Sequence, residues 1–327
     1  IFADNVRILR QREYDNTELY SDTEQAMVEK KARGQTDFIE YFGKQAAKRH
    51  KNDSKSIGVN WDRAHDLLKI FTKDKPLPFA QIDMHLIESF RDFLLKAPRG
   101  GNKSGTISQN TASTYFSLFK AALHQAFIDS YFDVDIAAKV KGISGVESRR
   151  EYLTIEELNK LAATPCEYPM LKKAAFFSAL TGLRHSDIRK MTWKELSVEG
   201  DHYRINFTQR KTGGVEYMPI SEQAYLICGE PAEPDRLVFE GLQDPSWINR
   251  PMKKWIEDAG IKKHITFHCF RHSYATNQLT EGTDIYTVSK MLGHTNIRTT
   301  QIYAKVVDSK KEEAAQAIKL NLQSDVI

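Results

Sequence analysis

The stretch FHCFRHSYATNQL, beginning at Phe267, places His268, Arg271 and His272 within little more than one helical turn, with no carboxylate among them. Downstream, MLGHTNIRTTQIYAK adds His294 and, nine residues further, Tyr303. His268 and His272 are four apart, with His264 another four upstream, which is the spacing of a zinc pair on one helix face. Zinc hydrolases of the HExxH type keep a glutamate between the histidines as general base. Here Cys-Phe-Arg fills that gap, and a guanidinium beside a divalent cation is repulsive. Arg271, flanked by Phe267, Phe270 and Tyr274 and lacking an acid, suits an anion better, because its planar fork grips phosphate oxygens.

Arg184 follows SALTGL at a Thr-Gly break between two helical patterns, where a helix N-terminus favours anions, and Asp187 three residues on can share its face. Lys211 falls at the tip of a predicted hairpin. Taken singly, each has an ordinary alternative: a surface arginine with a capping aspartate, a solvated turn lysine, a half-buried packing tyrosine. Taken together, Arg184, Lys211, His268, Arg271, His294 and Tyr303 describe a phosphate site with a nucleophile. Two arginines neutralise a pentavalent transition state. A lysine protonates the leaving oxygen. A tyrosine hydroxyl, with a free pKa of about 10, attacks once cations lower its pKa and a histidine takes its proton. Such a site calls for no metal and no cofactor.

The elements that carry these residues must come from a chain of 327 residues, long enough for two domains with separate cores. Hydrophobic content of 41% and charged content of 28% are those of a soluble globular protein. No apolar run approaches the roughly 18 residues of a membrane span, and no signal peptide opens the chain. Cys166, Cys228 and Cys269 are far apart and form no CxxC pair, which points to a reducing cytoplasm. A net charge of +4 permits a nucleic-acid partner without demanding one. The start at Ile1 leads us to expect a fragment or processed chain.

Residues 1–33 are highly charged and read as a linker or leading helix, helical over 6–14 and 23–32. Residues 34–142 predict an all-helical domain of four helices, in DFIEYFGKQAAKRH, WDRAHDLLKIF, MHLIESFRDFLLK and NTASTYFSLFKAALHQAFID. Lys44, Lys48 and Arg49 cluster at the end of the first, and Arg99 and Lys103 lie in the Gly-rich loop APRGGNKSGTISQN. These cations are either a solvated surface or a phosphate-facing one. VKGISGVESRREYLT marks the boundary to a second domain, 143–327. There Thr154 and Glu157 predict a capping box, and alternation at Tyr203, Ile205 and Phe207, then Val215 and Tyr217, predicts a β-hairpin. Helices are expected from Trp247, Phe267, Tyr286 and Thr299, then an amphipathic tail, EEAAQAIKLNL.

Across essentially its whole length the sequence resembles the tyrosine recombinase (phage integrase) family. ALTGLRHSDI matches the first arginine motif, RKTGG the hairpin lysine, and HCFRHSYAT with LGHTNIRTTQIYAK the second block, in the right order. Its general style is similar to integrases of Bacteroidetes conjugative or mobilizable elements. The resemblance implies a mainly α fold with a small β-sheet or hairpin in the catalytic domain. It implies a helical, SAM-like core-binding domain at 34–142 and a catalytic domain at 143–327, closing as a two-domain C-shaped clamp on duplex DNA. Residues 1–33 would follow an arm-binding domain. The implied catalytic set is Arg184, Lys211, His268, Arg271, His294 and Tyr303, with Asp187 in support and Tyr303 as nucleophile. DNA contacts are expected from Lys44, Lys48, Arg49, Arg99 and Lys103.

The implied activity is site-specific cleavage and rejoining of DNA strands through a 3′-phosphotyrosine, without metal or ATP, to integrate or excise a mobile element. The implied partners are double-stranded DNA and a homotetramer on two duplexes exchanging C-terminal tails, with accessory DNA-bending or excision factors and no membrane. The implied location is the bacterial cytoplasm, at the nucleoid. Two alternatives stay open: relaxation of supercoils in the manner of a type IB topoisomerase, and a DNA-binding protein that keeps the fold without catalysis.

Overall fold

The computed structural model describes residues 4, 6–8, 10–11, 22–52, 55–100, 104–146, 150–208 and 215–304. The chain divides into two compact units, Ile1–Ser148 and Arg149–Ile327. The first is helical: α1 (Asp22–Gly34), α2 (Phe38–Asn52), α3 (Lys55–Thr72), α4 (Met84–Leu94), α5 (Gln109–Ile128) and the short α6 (Ile136–Lys139). Asp83 caps α4 and Ser108 caps α5, each side chain accepting from a backbone N–H three residues on. The core is aromatic, with Phe38, Phe42, Phe79, Phe90, Phe116 and Phe119 fully buried. Phe38 meets Phe79 and Phe119 edge-on at 5.3 and 5.8 Å, the geometry that ring quadrupoles favour. Burial of each such ring contributes roughly 1.5–3 kcal/mol.

The second unit opens on the extended segment 150–153, which is pinned to the body of the unit by three bonds. Leu153 N–H donates to Ser273 Oγ at 2.8 Å, Asn277 Nδ2 to Leu153 O at 3.2 Å, and Lys263 Nζ to Tyr152 O at 3.0 Å. Then come α7 (Ile155–Ala163), with the predicted capping box of Thr154 and Glu157, and α8 (Pro169–Thr181), which is apolar and largely buried apart from Lys172 and Lys173. The single-turn α9 (His185–Ile188) follows, then an antiparallel sheet of β1 (Leu196–Glu199), β2 (His202–Thr208) and β3 (Val215–Ile220). The expected hairpin is the β2–β3 pair, with Ile205 opposite Met218 and both buried. β1 is a third strand that the sequence reading lacked. The connection 209–214, Lys211 included, lies outside the described residues. The rest is helical: α10 (Glu222–Cys228), α11 (Pro245–Asp258), α12 (Phe267–Thr280), α13 (Ile285–Met291) and α14 (Arg298–Ala304). The protein is thus mainly α with one small sheet. Among the described residues no helix is long and apolar enough to cross a membrane.

α12 is the centre of this unit and packs on α8 through Phe270. The approach is close because Gly182 ends α8 in the left-handed conformation, φ +72°. A Cβ there would lie 2.6 Å from the Tyr274 ring and 2.8 Å from Leu292. Gly182→Ala therefore combines a left-handed strain of about 1–2 kcal/mol with an overpacking cost of about 1–3 kcal/mol. We expect the unfolding midpoint of the second unit to drop, while the aromatic core of the first keeps its own transition. Calorimetry would resolve the two.

Candidate active site

α12 is capped by Thr266, whose backbone N–H donates to Cys269 Sγ at 3.3 Å; a cysteine thus fills the place that glutamate or glutamine takes in most capping boxes. One helical turn further, Arg271 is only 3% exposed. Its Nη1 donates to the Gly182 carbonyl at 2.6 Å, and its Nη2 to the Leu292 carbonyl at 2.7 Å and to His294 Nε2 at 3.0 Å. The first carbonyl belongs to the turn after α8 and the second to the end of α13. One guanidinium thus ties three segments together.

Since Arg271 can only donate, His294 Nε2 accepts and its Nδ1 carries the hydrogen, donating to the buried Thr300 Oγ1 at 2.8 Å. Arg184 caps α9 from the other side of Gly182, with Nη1 3.8 Å from the buried Asp187 carboxylate. The structure therefore gathers Arg184, Asp187, His268, Arg271, His294 and Tyr303 into one locality. Arg184, His268 and Arg271 line a cavity of about 470 Å³ together with Ser178, His185 and Phe267.

Tyr303 on α14 is 4% exposed, and its hydroxyl lies 2.8 Å from Nδ1 of His272, itself 5% exposed. The His268 ring stands edge-on to His272 at 4.5 Å. Sequence reasoning counted His272 only as half of a rejected zinc pair, because spacing cannot say which of three histidines faces a tyrosine thirty-one residues away. It also missed Arg150, whose charge acts on both His272 and Tyr303, and Thr300, which fixes the His294 tautomer. Among the described residues no group of three or more His, Cys, Asp or Glu side chains could hold a metal ion.

The electrostatics follow from crowding cations in a dry place. Burial, then the charge of Arg184, brings Arg271 down to about 10, so it stays charged at neutral pH. Burial brings His272 down to about 3, with His268, Arg150, Arg271 and His294 adding to the effect. His294 falls to about 4, from burial and then Arg271, Arg184 and His268. Both imidazoles are neutral in the resting site. Tyr303 is raised by burial, while Arg271, Arg150 and Arg184 pull the other way. The arrangement is a cavity lined by cations, two of which, Arg271 and Arg184, also act on a buried tyrosine, and such a cavity suits an oxyanion.

In the first unit, Lys44 pairs with Glu40 at 2.7 Å, the Arg49 guanidinium sits 5.3 Å over the Trp61 ring, and Arg99 Nε donates to Thr106 O at 3.0 Å. Lys44 and Lys48 border a shallow cavity with Tyr41 and Tyr131. Lys103 lies outside the described residues. A second feature of the other unit is an apolar groove of about 1030 Å³ between α7, α8, α10 and α12, lined by Leu158, Phe176, Leu180, Leu226 and Ile227.

Residues 151–310 match the phage integrase family and residues 37–141 the phage integrase SAM-like domain. A tyrosine recombinase of Thermosipho africanus is 25% identical over 267 residues, spanning 78% of this chain and 94% of the relative. Among solved structures, the XerH site-specific recombinase bound to a palindromic difH substrate aligns with a TM-score of 0.65 at 18% identity, over 84% of this chain and 83% of that one. The Tn1549 transposon integrase bound to transposon right-end DNA aligns with a TM-score of 0.62 at 18% identity, over 86% and 100%.

The lowered histidines make stability depend on pH with a definite sign. Above an unfolded pKa of about 6.5 both states hold them neutral, and the native state keeps its full stability. As pH falls from there toward 4, only the unfolded chain takes up the protons, so stability is lost, by at most about 1.4 kcal/mol per pH unit for each histidine. Urea titrations of His272→Asn between pH 7.5 and 4.5 should show a shallower decline than the parent protein; equal slopes would mean that His272 is not held neutral.

Proposed function

The chain belongs to the phage integrase family of tyrosine recombinases, and on that premise we propose that it is a site-specific DNA recombinase with Tyr303 as its nucleophile. The observation that carries this reading is a buried tyrosine hydroxyl acted on by Arg271 and Arg184, two of the cations that line a cavity suited to a phosphate. In the proposed reaction a scissile phosphate enters the cavity and its non-bridging oxygens meet Arg184, Arg271 and His268. Tyr303 Oη attacks phosphorus, the bond to the 5′ oxygen breaks, and that oxygen leaves as a hydroxyl with a proton from Lys211. The 3′-phosphotyrosine keeps the energy of the bond, so a 5′-hydroxyl from a second duplex reverses the step without ATP. Guanidinium groups here take the charge-neutralising part that metal ions take in other phosphoryl transfers. His294, holding Arg271 on one edge and Thr300 on the other, keeps that guanidinium in register.

Integration or excision of a mobile element is the proposed use of this chemistry, on double-stranded DNA held by both units, with Lys44, Lys48, Arg49, Arg99 and Lys103 as phosphate contacts of the first. Four copies would act on two duplexes. The apolar groove is the proposed seat for tail exchange between them, and Ala315, Ile318 and Leu322 of the tail, outside the described residues, have the spacing of one helical face that could fill it. Accessory DNA-bending or excision factors belong to the same proposal.

Nicked duplexes tiled across the DNA flanking the gene, each built to lose its 5′-hydroxyl fragment on cleavage, test the nucleophile. The parent protein should accumulate a 3′-linked covalent adduct in chelator. Tyr303→Phe, which removes one oxygen and almost no volume, should fold and bind equally well yet give none. An adduct on any other residue, or relaxation of supercoils without sequence preference, would contradict the reading.

The tail has its own test. Truncation after Ser309 should leave a folded protein that binds a single half-site but no longer joins two duplexes, read by native gel and by recombinant product. Recombination at the parent rate would remove tail exchange.

A further inference from the structure

Besides His185 in the cavity wall, three histidines of the site, His268, His272 and His294, each have a different neighbour. His294 is committed at both ring nitrogens, to Arg271 and to Thr300. His268 lines the cavity beside Arg184 and Arg271, where the anion would sit. His272 meets the tyrosine through Nδ1, at 2.8 Å from Oη, and it does not line that cavity. Both rings are almost fully buried, so no bulk water competes for the tyrosine proton. Ser273 and Asn277, on the same helix, hold the segment 150–153 in place, and its first residue, Arg150, acts on both rings.

We propose that His272, rather than His268 or His294, is the group that removes the proton from Tyr303. The inference rests on the recombinase reading above. In the resting site Tyr303 Oη donates to a neutral Nδ1. As the Oη–P bond forms, the O–H bond breaks and its proton passes to Nδ1, giving an imidazolium. The P–O5′ bond breaks and the departing 5′ oxygen is protonated from Lys211, so the charges balance. On religation the imidazolium returns its proton to Oη.

The groups facing His272 set the timing. His268 and Arg271 lie on its own helix, His294 follows α13, Arg150 comes from the 150–153 segment, and Tyr303 comes from α14. All but the tyrosine act against a positive imidazole while the cavity holds no anion, so the resting base is weak and the tyrosine stays protonated. A phosphate between Arg184, His268 and Arg271 offsets those charges, and the imidazole becomes able to accept. The nucleophile is then armed by the substrate's own charge.

His272→Asn tests this, since its Oδ1 stands where Nδ1 stands and accepts the same hydrogen bond but takes no proton. Single-turnover adduct formation on the nicked duplex should slow by roughly 10²–10⁴-fold. The loss should persist when the 5′-bridging oxygen is sulfur, a leaving group that needs little protonation. Between pH 6.5 and 9 the variant rate should climb about tenfold per pH unit, as hydroxide replaces the missing base, while the parent profile is flatter. His272→Gln, equally unable to take a proton, is the second variant, and melting curves at each pH keep both comparisons on folded protein. A parent-like rate in either variant, recovery on the sulfur substrate, or a pH profile parallel to the parent's overturns the assignment of His272 and leaves the recombinase reading standing. A parent protein that forms no adduct on any duplex overturns both.

Discussion

A guanidinium with 3% of its surface exposed is an expensive object, and the second unit is organised around holding one. Desolvating such a cation costs several kcal/mol in practice, and Arg271 sits within reach of another arginine that adds repulsion. What offsets this is a set of charge-assisted hydrogen bonds to two backbone carbonyls, worth roughly 1.5–3 kcal/mol each. The carbonyls are at residues 182 and 292, so the bonds require α8, α12 and α13 to meet at fixed distances. Gly182 is glycine because a side chain there would collide with Tyr274 and Leu292 before the carbonyl reached the guanidinium.

The same buried charge dictates the state of its neighbours. It compels His294 to accept at Nε2, which places the hydrogen on Nδ1 and selects a hydroxyl, Thr300, as its partner. It helps keep His272 neutral and opposes the effect of burial on Tyr303. Asp187, buried near Arg184, works against that arginine's effect on Arg271.

Much of this was readable in the sequence, for identifiable reasons. The residues at 184, 268, 271, 294 and 303 stand in short motifs whose residue types have few other uses together, and the structure gathers them. The capping box at Thr154 and the β2–β3 pair rest on local chemistry, which the chain displays openly. β1 was missed because four residues, two of them exposed, offer too little alternation to separate from a turn. His272 was undervalued because its neighbour comes from another helix, a relation that only tertiary packing creates. The cations of the first unit could not be sorted in advance: Glu40 and Trp61 are ordinary helix residues until Lys44 and Arg49 are found against them.

The double carbonyl clamp on Arg271 also bears on how the chain behaves while it is being made. Arg184 and the helix bearing Arg271 leave the ribosome before residue 292, whose carbonyl completes the clamp, and before Tyr303. Until the final stretch has emerged and docked, a nascent chain carries cations that attract nucleic acid but has neither a fixed guanidinium nor a tyrosine in place. Fragments that end ahead of α13 likewise lack both the Leu292 carbonyl of the clamp and the proposed nucleophile, Tyr303. Completion of the clamp thus waits on the docking of α13, close to the end of the described chain.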